Sequence, residues 1–175
     1  YWAPDGRLTI WTSTQGIFPV RSQTANILGI PESSIKVIPM EIGGGFGGKT
    51  VTYLDPVVGI LSKKSGAPVK IVMTRKEVFE GTGPTSGTYM WCKIGADKSG
   101  HITAAHLYLA FESGAFPGSP VGGGAMSGLG PYKIDNLVVE GLDVVVNTQK
   151  VAAYRAPGQP QAAFAVEPVI DELAE

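Results

Sequence analysis

The stretch Gly43-Gly44-Gly45-Phe46-Gly47-Gly48-Lys49-Thr50 decides how this chain is read. Glycines this dense, broken by one aromatic residue, are neither a flexible linker nor a fibrous repeat. They suggest a backbone brought close to something that a Cβ would block. Residues 35–40 before the loop read as a strand and residues 51–64 after it as a helix. Pro56 is tolerable near that helix's start, and Gly66 ends it.

Two nucleotide patterns fit this loop. Gly43, Gly48, Lys49 and Thr50 match G-x-x-x-x-G-K-[ST], in which N–H groups surround phosphates, the lysine neutralises charge and the hydroxyl holds Mg²⁺. The metal then needs an acid at a strand end. The strands expected at 69–73 and 137–146 end instead in Thr74-Arg75 and Asn147-Thr148. Gly43, Gly45 and Gly48 also match G-x-G-x-x-G, which wants an acid about twenty residues on. That distance falls on Lys63 and Lys64. A nucleotide-binding module using Gly43 to Thr50 therefore stands as the alternative function.

Working outward, residues 8–12 alternate as a strand and end at Ser13-Thr14-Gln15-Gly16. Pro19 suits the first turn of a helix running to Leu28, with Val20, Ile27 and Leu28 on one face and Gly29 as the stop. Residues 69–73 read as a short buried strand. Residues 88–94 and 101–111 form a hairpin across the polar, glycine-containing segment 95–100. A long loop covers 114–131 and another strand 137–146. After Tyr154-Arg155-Ala156-Pro157-Gly158-Gln159-Pro160-Gln161, a closing helix runs from about Ala162. The fold class is α+β, with helices packed on mixed and antiparallel sheets.

Composition narrows the classes further. The net charge is -1, with no basic stripe for nucleic acid and no long apolar run for a membrane span. The single cysteine, Cys92, excludes an internal disulfide or a cysteine-held cluster and reads as a buried structural thiol. His101 and His106 stand an odd number apart on one strand-like run. They would face opposite sides, which speaks against a histidine metal site.

Three separated segments are more specific than either loop pattern. Ser13-Thr14-Gln15, the 43–49 loop and Tyr154-Arg155-Ala156-Pro157-Gly158-Gln159-Pro160-Gln161 resemble, in order and separation, three segments of the xanthine oxidase/aldehyde oxidase family of molybdenum hydroxylases. The resemblance continues through Gly130-Pro131-Tyr132 and the closing helix, covering all 175 residues. It implies a fragment of a larger molybdopterin-binding domain. Residues 1–80 would form a βαβ-α-β part with the glycine loop, and 81–175 antiparallel strands and the closing helix. The start at Tyr1-Trp2 and the stop within helical sequence add to the expectation of an excised piece.

In such enzymes the molybdenum is held by the pterin's dithiolene sulfurs, with no direct protein ligand. Side chains orient and tune the centre by hydrogen bonds from outside. The resemblance implies that Gln15 reaches an oxygen on the metal through its amide. It implies that Gly44, Gly45, Phe46 and Gly47 lie over metal and pterin, with the following helix dipole favouring an anion. Phe46 would be an apolar wall or a core anchor. Arg155 would be a fixed cation at the active site, with Ala156 beside the cofactor and Pro157 lining the substrate pocket.

Three departures matter. Some carbon monoxide dehydrogenases of the family carry a cysteine after that arginine, where this chain has Ala156. Purine-oxidising members carry a glutamate where Thr50 stands, and an arginine in the region that here reads Gly122-Gly123-Gly124-Ala125-Met126. The expected substrate is thus an aldehyde or another small carbonyl or heteroaromatic molecule, with Thr50 in its pocket. The family's general-base glutamate lies outside this stretch, so the isolated chain is expected to be inactive. [2Fe–2S] and FAD are expected in other domains or subunits, which would be its partners in the cytoplasm. Whether the pterin bears a cytosine dinucleotide stays open.

Overall fold

A computed structural model describes all 175 residues, which divide into two compact units, Tyr1–Thr82 and Gly83–Glu175. In the first unit, β1 (Leu8–Thr12) and β2 (Ile35–Pro39) pair in parallel, with Leu8 opposite Ile35. Parallel neighbours need a crossover, and α1 (Ile17–Leu28) supplies it. Leu8, Ile10, Ala25 and Ile35 form the core, with Leu28, Ile30 and Val37 packed against it. The buried face of α1 runs through Val20, Thr24 and Ala25 rather than the expected Ile27, which is 63% exposed. A periodicity judged on apolar residues alone misses the face when a threonine shares it. α2 (Asp55–Ser65) lays Gly59 on Leu8, where an added Cβ would come 3.1 Å from a Leu8 methyl.

Two sequence readings of this unit change. The helix expected from residue 51 begins at Asp55, with Pro56 in its first turn. Proline lacks the N–H that a residue deeper in the helix must donate, so Pro56 forces the later start. The buried strand expected at 69–73 does not form; Val72 is 72% exposed and the segment pairs with no strand. It leads into α3 (Arg75–Gly81). Thr74 caps α3 by accepting from the Glu77 N–H, while the Glu77 carboxylate accepts from the Thr74 N–H at 2.7 Å.

In the second unit β3 (Thr88–Ala96) and β4 (Ile102–Gly114) form the expected antiparallel hairpin, with Cys92 opposite Leu107. β4 buries Ala105, Leu107, Leu109 and Phe111 on one face, the period of two that a half-buried strand requires. These meet Leu129 and, from α5 (Gln159–Ala174), Ala162 and Val166. β5 (Asn136–Val145) runs parallel to β4, because the chain returns along β4 before pairing, Ala104 opposite Asn136. That return is not wholly a loop. It contains α4 (Val121–Ser127). Cys92 is half-buried against this core, and burial pushes its thiol pKa up. His101 and His106 pair separately, with Asp135 at 3.7 Å and Glu140 at 2.7 Å. No helix is long and apolar enough to cross a membrane.

Candidate functional site

In the first unit the turn after β1 and the glycine loop after β2 meet, as parallel neighbours ending side by side must. Gln15 joins them twice. Its backbone N–H donates to the Lys49 carbonyl at 2.9 Å. Its Oε1 accepts the Gly47 N–H at 2.8 Å and the Lys49 N–H at 3.2 Å. Thr14, nearly fully buried, adds a hydroxyl donated to the Lys49 carbonyl at 3.0 Å. Both lobes of the Gln15 carbonyl oxygen are occupied, so the amide has one sensible orientation, with Nε2 as its outer end. Nε2 donates to nothing within the chain.

The loop is shaped for this approach. Gly43, Gly44 and Gly47 have positive φ, and so does Phe46 at 50°, an uncommon state for a residue with a side chain. A Cβ on Gly45 would lie 2.4 Å from Gln15 Oε1, so only glycine admits the Gln15 side chain there. Phe46 is 60% exposed and anchors no core; its ring edge lies over Gly44. The Gly48 N–H donates to the Gly45 carbonyl at 2.8 Å. The N–H groups of Gly43, Gly44, Gly45 and Phe46 donate to nothing in the chain. Four successive unpartnered donors beside a neutral amide donor fit an anionic, oxygen-rich group. The helix dipole adds little here, because α2 begins well past the loop, at Asp55.

The same contacts remove the phosphate-loop reading. Lys49 Nζ donates to the Ile42 carbonyl and, at 3.0 Å, to Ser13 Oγ. The Thr50 hydroxyl donates to the Gly47 carbonyl at 2.8 Å. Lysine, hydroxyl and two of the N–H groups needed for phosphate and magnesium are spent on the protein itself. The bond between Ser13 and Lys49 that clasps the loop is not legible in the sequence, although both residues stand in the quoted motifs.

In the second unit Arg155, exposed, makes no hydrogen bond or ion pair within the chain. It sits in a tight turn closed by the Gln159 N–H donating to the Ala156 carbonyl at 3.1 Å. Ala156 has φ 52°, so both non-glycine residues with positive φ fall inside the quoted motifs. Gly158, with φ 88°, lets the turn press on α4; a Cβ there would lie 2.3 Å from the Pro120 carbonyl oxygen. Pro157 lies against α4 as well, its carbonyl oxygen 2.7 Å from where a Cβ on Gly123 would sit. The Asp143 carboxylate steadies the entry to α4 by accepting the Gly118 and Ser119 N–H groups at 2.7 and 3.0 Å. No three His, Cys, Asp or Glu side chains gather to hold a metal ion.

Comparison with known proteins places this geometry. The sequence matches the molybdopterin cofactor-binding domain family over residues 1–175. It is 34% identical to a probable xanthine dehydrogenase polypeptide of Bacillus subtilis (strain 168), across 97% of this chain and 23% of that protein. It is 34% identical to the aldehyde oxidoreductase molybdenum-binding subunit of Escherichia coli (strain K12), across 98% of this chain and 23% of that one. The crystal structure of quinoline 2-oxidoreductase from Pseudomonas putida 86 superposes with a TM-score of 0.89 at 30% identity, over 97% of this chain and 22% of its own. The chain thus spans under a quarter of these relatives, and it belongs to the molybdopterin cofactor-binding domain family.

Proposed function

We propose that this chain supplies the cofactor-contacting loops of a molybdenum hydroxylase acting on an aldehyde or another small carbonyl or heteroaromatic substrate. The clamped Gln15 amide carries the reading, with Oε1 held by Gly47 and Lys49 and Nε2 left as a donor. Bound beside it, the molybdenum–pterin group supplies the two-electron oxidation of a substrate carbon. Gln15 offers that group a neutral donor whose direction is set before binding, so little is lost in ordering it. The N–H groups of Gly44, Gly45 and Phe46 are left available to an anionic group, with no Cβ in the way at the glycines, and Gly47 keeps Gln15 in place. Phe46 gives the site an apolar wall.

For the second unit the proposal rests on the motif. Arg155 supplies a fixed cation, Ala156 a short side chain beside the cofactor, and Pro157 a rigid lining. Thr50 is neutral, and its one hydroxyl proton is given to the Gly47 carbonyl. A residue so engaged offers no charge to grip an oxo-purine, which favours smaller or less polar substrates. The general base, the iron–sulfur and flavin carriers and any cytosine dinucleotide on the pterin belong to the rest of a longer cytoplasmic enzyme.

The test is Gln15→Glu in the full-length holoenzyme. The carboxylate keeps an acceptor for Gly47 and Lys49 but replaces the outer N–H₂ with an anion. Molybdenum content should stay near that of the parent. The reduction potential of the centre should fall, and kcat should drop about 10- to 100-fold, the range for partners that tune a bound metal. Parent-like potential and kcat would reject the assignment of Gln15.

A further inference from the structure

Lys49 touches Gln15 or its support at every polar atom it has. Its N–H donates to Gln15 Oε1 at 3.2 Å. Its carbonyl accepts the Gln15 N–H at 2.9 Å and the Thr14 hydroxyl at 3.0 Å. Its ammonium crosses to the other end of the loop, donating to the Ile42 carbonyl and to Ser13 Oγ. Ser13 Oγ in turn donates to the Ile42 carbonyl at 3.2 Å, so hydroxyl, carbonyl and ammonium satisfy one another.

The residues between Ile42 and Lys49 are glycines and one phenylalanine that is exposed rather than buried in a core. Such a segment has the largest backbone entropy to lose on ordering, and no side chain of its own to hold it. The tie across its two ends therefore comes from outside the glycines, through the Lys49 side chain. Charge-assisted bonds from an ammonium are the stronger kind of hydrogen bond. With the ends tied, the Gly47 and Lys49 N–H groups stay aimed at one point, and Oε1 of Gln15 occupies it.

We propose that Lys49 is the positioning residue for the Gln15 amide, acting as a clasp with Ser13 and the Ile42 carbonyl rather than as a phosphate ligand. The proposal rests on the reading of Gln15 as a donor to the molybdenum group. Its test therefore separates the two, using Lys49→Met, Ser13→Ala and Gln15→Ala in the full-length holoenzyme. Two quantities are read: hydrogen exchange at the Gly47 amide, and the Mo(V) electron paramagnetic resonance signal of partly reduced enzyme.

Lys49→Met should speed exchange at Gly47 about tenfold and move the Mo(V) signal toward that of Gln15→Ala, since both lose the same oriented donor. Ser13→Ala, which leaves the Lys49 backbone and stem in place, should move both readouts in the same direction by less. It serves as the deciding variant if Lys49→Met does not retain the metal. A parent signal in Lys49→Met, or in Ser13→Ala where that variant decides, alongside a shifted signal in Gln15→Ala, overturns the role of Lys49 and leaves that of Gln15 intact. A parent signal in Gln15→Ala at full metal content overturns the reading on which the proposal stands.

Discussion

Adding one methyl group at Gly45 should displace Gln15 without unfolding the protein. The Cβ of Gly45→Ala would lie 2.4 Å from Oε1, 2.5 Å from Cδ and 2.7 Å from Cγ of Gln15. Ordinary contact between such atoms is about 3.5–4.0 Å, so three successive side-chain atoms must each withdraw by about an ångström. Because Cγ is among them, turning the terminal amide cannot relieve the clash, and the whole side chain has to leave its rotamer. The Gly47 and Lys49 N–H groups then lose their acceptor. At a net value of about 0.5–1.5 kcal/mol each, the local loss is roughly 1–3 kcal/mol. At 1.4 kcal/mol per factor of ten, exchange at these two amides should quicken roughly 5- to 150-fold. Residue-resolved hydrogen exchange measures it directly. Gly43→Ala is the control. A Cβ there meets open space, and the cost is backbone strain at φ 64°, about 1–2 kcal/mol, with no contact to Gln15. Unchanged protection at Gly47 and Lys49 in Gly45→Ala, or the same pattern in Gly43→Ala, would refute the clamp.

Gly158→Ala should be far more damaging. Its Cβ would meet backbone on two sides, 2.3 Å from the Pro120 oxygen and 2.6 Å from the Gly124 nitrogen, at φ 88°, so urea unfolding should show a loss of about 3–5 kcal/mol. The hairpin turn supplies a pH test. The Ser99 hydroxyl, then the His101 and Ser99 N–H groups, hold the Asp97 carboxyl below its ordinary value. A carboxyl lowered by folding stabilises the fold above its unfolded pKa of about 3.9 and loses that contribution as acid carries it through the lower folded value. Between about pH 5 and about pH 2, urea midpoints of the parent should therefore fall more than those of Asp97→Asn. Equal slopes would exclude the turn as a source of acid sensitivity.

The alternating and helical patterns around the core were legible because burial wrote them there. Leu107, Leu109 and Phe111 line one face of β4, and the β1–α1–β2 crossover follows from two strands with a helix between them. What escaped was decided by tertiary contact. Val69 to Met73 looked like a strand by composition, but a strand needs a partner. The Thr74–Glu77 capping box beside it is the better signal, marking the start of α3. Three successive glycines argue against a helix, each costing about 1 kcal/mol relative to alanine. Yet α4 runs over them, and the turn at Pro157 and Gly158 leaves no space for larger residues at Gly123 and Gly124, which accounts for the glycines. The parallel direction of β5 could not be read from its residues, since alternation looks the same from either end.

The glycine loop shows how far a pattern can carry a chemical conclusion. Gly43 to Thr50 satisfies a phosphate-binding pattern letter for letter, and a strand does precede it. The pattern records which residues permit a tight, side-chain-free turn; it does not record where the N–H groups are spent. Here the loop's second half gives two of them to Gln15, Lys49 gives its ammonium to Ser13 and Ile42, and Thr50 gives its hydroxyl to Gly47. Only the first half, from Gly43 to Phe46, keeps its donors free. Such a loop organises a glutamine first and offers the remaining donors to a ligand second, whereas a phosphate loop would turn both halves inward on one anion. The residue that settles between them therefore stands outside the pattern altogether: it is Gln15, at the end of the neighbouring strand, and its Oε1 occupies the place where two of the loop's donors converge.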